Sequence, residues 1–232
     1  MSLLFLMTSF VLQASQTQEK SQSIQTTGFE KQWKQVDSLS NLGQPKSALV
    51  IVDKICSQSK KDKNDQQFIK AVIYRIKLQS DYREDALAGT IKDLKKEIKV
   101  AEEPVNQILN SLLAEVYWRY YQNNRYIFSS RTQVVNNASD SIQTWDLNTL
   151  SRTIIRTYQL SLENAALLKS VPIKNFEQIL EVPGKNTVAI RAFRPTLYDF
   201  LAWRALDYYM GNSGPKQVSA ASFKIDNPAY FS

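Results

Sequence analysis

The stretch from Trp33 to Cys56 constrains this chain more than any other, because it holds the end of one helix, a stop signal and the start of the next. Val36, Leu39 and Leu42 recur at helical spacing, Gly43 supplies the positive φ that ends a helix, and Pro45 presets φ for a new first turn. Two antiparallel helices follow from that order. A single hairpin buries little apolar surface, so it must stack on neighbours, and stacked hairpins commonly present surfaces to other proteins.

Composition points the same way. Six glycines and seven prolines in 232 residues are sparse punctuation for an all-β chain, whereas Leu, Ala, Lys, Gln and Glu are plentiful. Further helices are marked by Phe68, Ile69, Val72, Ile73 and Ile76, and then by Leu87, Ile91, Leu94, Ile98 and Ala101. Pro104 opens a fifth, in which Val105, Ile108, Leu109, Leu112, Leu113, Val116, Tyr117 and Tyr120 follow the i, i+3, i+4, i+7 rule. Residues 28–125 therefore read as a bundle of helical hairpins. Periodicity lapses over 126–144, which reads as a loop and carries the Asn137-Ala138-Ser139 sequon.

Asp146 is a natural N-cap for a sixth helix with Leu147, Leu150, Ile154, Tyr158 and Leu162, and shorter pieces follow around Leu167 and Phe176. Pro183-Gly184 marks a turn in an irregular connection from Val182 to Arg194. Pro195 restarts helix, and Thr196 to Met210 is apolar nearly all round, which predicts a mostly buried helix. Residues 145–211 thus continue the same domain, and 212–232 read as a linker toward a downstream domain. The fold expected is all-α, with antiparallel hairpins stacked in a solenoid-like, tetratricopeptide-like bundle.

At the N-terminus, an uncharged apolar run from Met1 to Val11 precedes Gln13-Ala14-Ser15 and a polar stretch to Thr27. Residues 1–14 read as a signal peptide cleaved near Ala14, and 15–27 as a disordered linker, which places the mature chain in the periplasm or at the cell surface. The run is too short to span a bilayer, no cysteine follows it to accept a lipid, and no transmembrane segment is expected in the mature chain. Cys56 is the single cysteine, so it has no internal disulfide partner; four residues after Val52 and on the face of Leu49, it is expected in the core.

The absence of histidine removes the commonest general base and the usual catalytic triads. The net charge of +7 lies in mixed runs such as Lys60-Lys61-Asp62-Lys63, the pattern of solvated helix faces and not of a nucleic-acid stripe. Asp199, Arg204 and Asp207 share the last helix, where Arg204 reaches Asp207 at i+3 as a structural ion pair. No phosphate-binding loop, dinucleotide fingerprint or metal-ligand cluster accompanies them, so no catalytic residue, cofactor or metal is assigned.

One segment interleaves aromatics with arginine: Tyr117-Trp118-Arg119-Tyr120-Tyr121, extended by Arg125, Tyr126 and Phe128. Such a run can form a stacking platform, and Trp118, Tyr121, Arg125 and Tyr126 are its candidate ligand or partner surface. Tyr117, Tyr120 and Tyr121 also continue the helix's apolar stripe, which assigns them, with Trp33, Trp145 and Trp203, to core packing.

Five blocks share an order and spacing with a known family: Trp33 to Ile55, Phe68 to Arg75, Asn110 to Trp118, Thr144 to Leu147 and Arg194 to Ala202. They resemble the N-terminal helical region of bacterial alpha-2-macroglobulin-like proteins, over about Phe29 to Met210. The resemblance implies an exported, non-catalytic scaffold or protein-contact module of a protease-trapping inhibitor, its partners being downstream macroglobulin domains and the proteases they trap. The family's thioester motif is Cys-x-Glu-Gln; Cys56 is followed by Ser57-Gln58-Ser59 and does not match it. The alternative is a stand-alone helical binding protein of the envelope that captures a peptide or glycan on the aromatic platform.

Overall fold

The computed structural model describes residues 28–80, 86–130, 141–177, 179 and 192–210. Among these residues all regular secondary structure is helical, with one isolated antiparallel bridge between Pro172 and Thr196. The proposed signal peptide and linker at 1–27, the sequon, the Pro183-Gly184 turn and the 212–232 linker lie outside the described residues. The chain forms two compact units, one built on residues up to Thr90 and one on residues from Ile91 onward.

The first unit contains α1 (28–41), α2 (Pro45–Lys61), α3 (Asp65–Ser80) and the start of α4 (Ala86–Val100). Gly43 ends α1 as its position predicts: at φ +67° it lets its own N–H donate to the Ser40 carbonyl and the Gln44 N–H to the Leu39 carbonyl, at 3.0 and 2.9 Å. This double bond pattern satisfies carbonyls that the helix end would otherwise leave bare. Pro45 then takes the first position of α2. Leu42, placed on the apolar face by its spacing, falls beyond the last turn of α1 and is 67% exposed.

The next connection repeats the device without a glycine. Lys63 sits at φ +52° and donates to the Lys60 carbonyl, while the Asn64 N–H donates to the Ser59 carbonyl. Asn64 also caps α3, its Oδ1 accepting from the Gln67 N–H at 3.1 Å. A side chain at a left-handed φ costs about 1–2 kcal/mol, part of which glycine returns as unfolded-state entropy. Lys63→Gly is therefore expected to stabilise the protein by about 0.5–1 kcal/mol, seen as a higher urea midpoint at unchanged slope.

Trp33, Val36, Ala48, Val52, Ile55, Cys56, Phe68, Ile69 and Val72 are buried in this unit. Trp33 loses water without losing its hydrogen bond, since its indole N–H donates to Gln67 Oε1 at 2.7 Å. The core position expected for Cys56 is the one it occupies, at 2% exposure.

The second unit holds the rest of α4, then α5 (Val105–Asn123), α6 (Arg125–Ser130), α7 (Leu147–Leu160), α8 (Ala165–Ser170) and α9 (Leu197–Met210). Short 3-10 turns cover Ile142–Thr144 and Ile173–Phe176. α5 packs on α7, and α9 packs on α8 and α5. Ile108, Leu109, Leu113, Val116 and Tyr117 of α5 and Leu150, Ile154 and Tyr158 of α7 are buried, the faces that helical spacing selects. Asp146 caps α7 as expected, its Oδ1 accepting from the Thr149 N–H at 2.7 Å.

The structure departs from the expected loop, from the expected burial of the last helix and from a core place for Trp203. The loop expected at 126–144 begins later, because helix resumes after the single residue Asn124 and continues as α6 to Ser130. Phe128 explains the extension: it is 2% exposed and packs its ring against Tyr120 and Tyr121, centroids 6.2 and 5.8 Å apart. The last helix is also not mostly buried. Leu197, Leu201 and Ala205 face the core, whereas Trp203, Leu206, Tyr209 and Met210 are 40–55% exposed. α5 and α8 take up one side of α9, and apolar composition alone does not bring a second side out of water. Trp203 is accordingly no core residue, unlike Trp33 and Trp145; one face of its ring carries the Arg194 guanidinium, 3.7 Å from the ring centre.

Candidate functional site

A recess of about 370 Å³ opens in the second unit, lined from α5, α7 and α9. α5 contributes Glu115, Trp118, Arg119 and Gln122, which fall at i, i+3, i+4 and i+7 and so share one helix face. α9 contributes Arg204, Asp207 and Tyr208, again one face, and α7 adds Tyr158. Each stripe is legible in the sequence, but their meeting depends on how α5 and α9 pack.

Glu115 is the electrostatic centre. Its Oε1 accepts from Arg119 Nη2 at 2.6 Å and its Oε2 from Arg204 Nη2, while Arg204 Nε donates to the buried Ser111 hydroxyl at 2.8 Å. Burial opposes the charge on Glu115, and the Arg204 and Arg119 guanidiniums outweigh it, holding the carboxyl below the usual carboxylate range. This corrects the ion pair expected between Arg204 and Asp207. The long Arg204 side chain crosses to a half-buried carboxylate on the facing helix, where solvent screens the pair less than it would at the exposed Asp207. Asp199 is occupied elsewhere: it accepts from both the N–H and the hydroxyl of Thr196, and its own N–H donates to that hydroxyl, a reciprocal cap at the start of α9.

The aromatic wall is continuous. Trp118 meets Tyr208 edge to face at 5.5 Å, Tyr208 packs on Tyr158 at 5.4 Å, and Tyr121 stacks behind Trp118 at 5.2 Å. The Arg125 guanidinium lies 5.9 Å from the centre of the Tyr121 ring. Of the four surface residues singled out in the sequence, Trp118, Tyr121 and Arg125 form one row, but only Trp118 lines the recess; Tyr126 projects outward, 86% exposed. Apart from Trp118, every lining residue lies outside the surface expected from the sequence: Arg204 and Asp207 are expected only as an ion pair, Arg119 only as part of the aromatic run, and Glu115, Gln122, Tyr158 and Tyr208 each read singly as an ordinary residue of a helix face.

Burial pushes the Tyr158 and Tyr208 phenols up to about 12; for Tyr158, Arg204 opposes the rise and Glu115 adds to it. A phenol whose proton is held more tightly in the folded protein adds stability that is complete below the ordinary value of about 10. That stability is lost as pH rises through the folded value. The expected result is a tyrosinate absorbance titration with a late component near 12, accompanied by loss of helicity. In Tyr158→Phe that component is expected to shrink.

Among the described residues, no group of three His, Cys, Asp or Glu side chains could hold a metal ion, and no helix is long and apolar enough to cross a membrane. What the recess offers is flat ring surface beside planar donors and acceptors of balanced charge. No protein-family model, curated protein or solved structure matches this chain.

Proposed function

We propose that this chain is a non-catalytic helical module of an exported, alpha-2-macroglobulin-like protease-trapping protein. In it, helical hairpins stacked in a solenoid-like manner support and contact other protein domains. The observation that carries this reading is the outer side of α9. Trp203, Leu206 and Met210 recur there at i, i+3 and i+7, on the side away from the buried Leu197, Leu201 and Ala205, and each is at least 40% exposed. A contiguous apolar strip of that kind on a helix is the usual mark of a protein contact. The five sequence blocks that resemble the family support the placement, and the partners proposed are the macroglobulin domains that follow and the proteases those domains trap.

The test is the open reading frame downstream of Ser232. A frame that runs on into β-rich domains with a Cys-x-Glu-Gln motif is the expected result. A stop codon directly after Ser232 overturns it in favour of the second reading, a free-standing envelope binding protein, which the recess between α5, α7 and α9 supports.

A further inference from the structure

We propose that the recess between α5, α7 and α9 is a binding site for a neutral saccharide of one or two rings. Its volume, about 370 Å³, falls within the range of sites that enclose small ligands. The inference stands on this recess alone; it uses neither the apolar strip on the outer side of α9 nor a place in any larger protein, so it can fail while the reading above holds, and the reverse.

Three features select a sugar. The first is the wall. Trp118 and Tyr208 both line the recess and meet edge to face, their planes 77° apart, so the wall offers flat ring surface beside a ring edge. The C–H face of a pyranose packs on such a ring surface through dispersion and weak C–H contacts, leaving its equatorial hydroxyls pointing outward around the rim.

The second is the geometry of the polar groups. Hydroxyls on adjacent sugar carbons present paired donors and acceptors, which planar side chains with two polar atoms match in a bidentate way. The rim supplies such groups of both kinds: the Asp207 carboxylate accepts, the Arg119 guanidinium donates, and the Gln122 amide does both.

The third is charge. Two carboxylates and two guanidiniums line the recess, and Glu115 is engaged by both guanidiniums at once. A phosphate or a ligand carboxylate would have to compete with Glu115 for Arg204 and Arg119, and a cation would meet those same guanidiniums beside Asp207. An uncharged polyol meets neither penalty. Arg204, held by Ser111 as well as Glu115, is fixed before any ligand arrives, which lowers the ordering cost of binding.

The test is titration of the whole purified chain with maltose, cellobiose and N,N′-diacetylchitobiose, and separately with a proline-rich peptide and with inorganic phosphate. Tryptophan fluorescence and ligand-detected saturation-transfer NMR are the readouts. Expected are a fluorescence change and transfer to ring protons for at least one disaccharide, with a dissociation constant around 1 mM or tighter. Asp207→Asn is expected to weaken that binding about tenfold; Asp207 is exposed, so its replacement does not threaten the fold. Trp118→Leu is expected to abolish the binding at unchanged helicity, whereas Trp203→Leu, on the outer side of α9, leaves it intact. The proposal is overturned if none of the disaccharides binds at about 10 mM, if the Asp207 and Trp118 variants bind as well as the parent, or if only the peptide or only phosphate binds.

Discussion

Replacing Tyr117 by alanine is expected to cost about 3–5 kcal/mol of unfolding free energy, the largest effect of any single substitution considered for the second unit. Tyr117 is 1% exposed and among the largest fully buried side chains of the described residues, and its ring lies 5.6 Å from that of Trp145. Removing it opens a cavity beside Trp145 and takes away the surface on which the connection into α7 rests. Equilibrium denaturation in urea, followed by circular dichroism, measures the loss. Tyr117→Phe separates packing from the hydroxyl and is expected to cost much less, about 1 kcal/mol. A Tyr117→Ala variant that unfolds at the parent's midpoint would contradict the packing described here.

The second large effect belongs to Arg204. Arg204→Ala removes the guanidinium from Ser111 and Glu115 and leaves Glu115, only partly solvated, with Arg119 alone. Loss of a partner from a fully buried pair costs about 3–5 kcal/mol; with about a quarter of each side chain exposed, a loss of about 2 kcal/mol is expected at neutral pH. The pH dependence identifies the cause. Glu115 has a lowered folded-state value, so its ionised form contributes stability that is present above the unfolded-state value and lost as pH falls through the folded one. The gap between parent and Arg204→Ala should therefore be full at pH 7 and narrow as pH drops below about 4. A double-mutant cycle with Glu115→Gln, measured at both ends of that range, isolates the pair. A gap that is the same at both pH values would assign the loss to packing and not to charge.

What could be read from the sequence was the local chemistry. Gly43 and Pro45 mark a turn that needs one residue with positive φ and one with preset φ, and Asp146 marks a helix start because its carboxylate reaches a nearby N–H. The long stripe of α5 was legible because it repeats over many turns. What could not be read was decided at a distance. Arg204 bonds to Ser111 and Glu115, 93 and 89 residues away, although an aspartate stood three residues along its own helix. Trp203 and Leu206 stay exposed because α9 is covered on one side only, a property of its neighbours and not of its composition. The Lys63 turn carries no glycine to announce it, and α6 is held by Phe128, which is buried while its neighbours Tyr126 and Ile127 stay exposed. The recess is not legible in the sequence for the same reason as the Arg204 contacts, since neither α5 nor α9 contains it alone.

Cys56 gives the molecule a use that its packing role does not suggest. It is the sole thiol in 232 residues and stands 2% exposed in the first unit, so a thiol reagent can reach it only when that unit opens. Labelling rates at increasing reagent concentration then count those openings directly, without an engineered probe and without a competing site. Because the recess, Tyr117 and Arg204 all belong to the second unit, the same label reports whether a disturbance made there is felt in the first, and thus whether the two units melt together or one at a time.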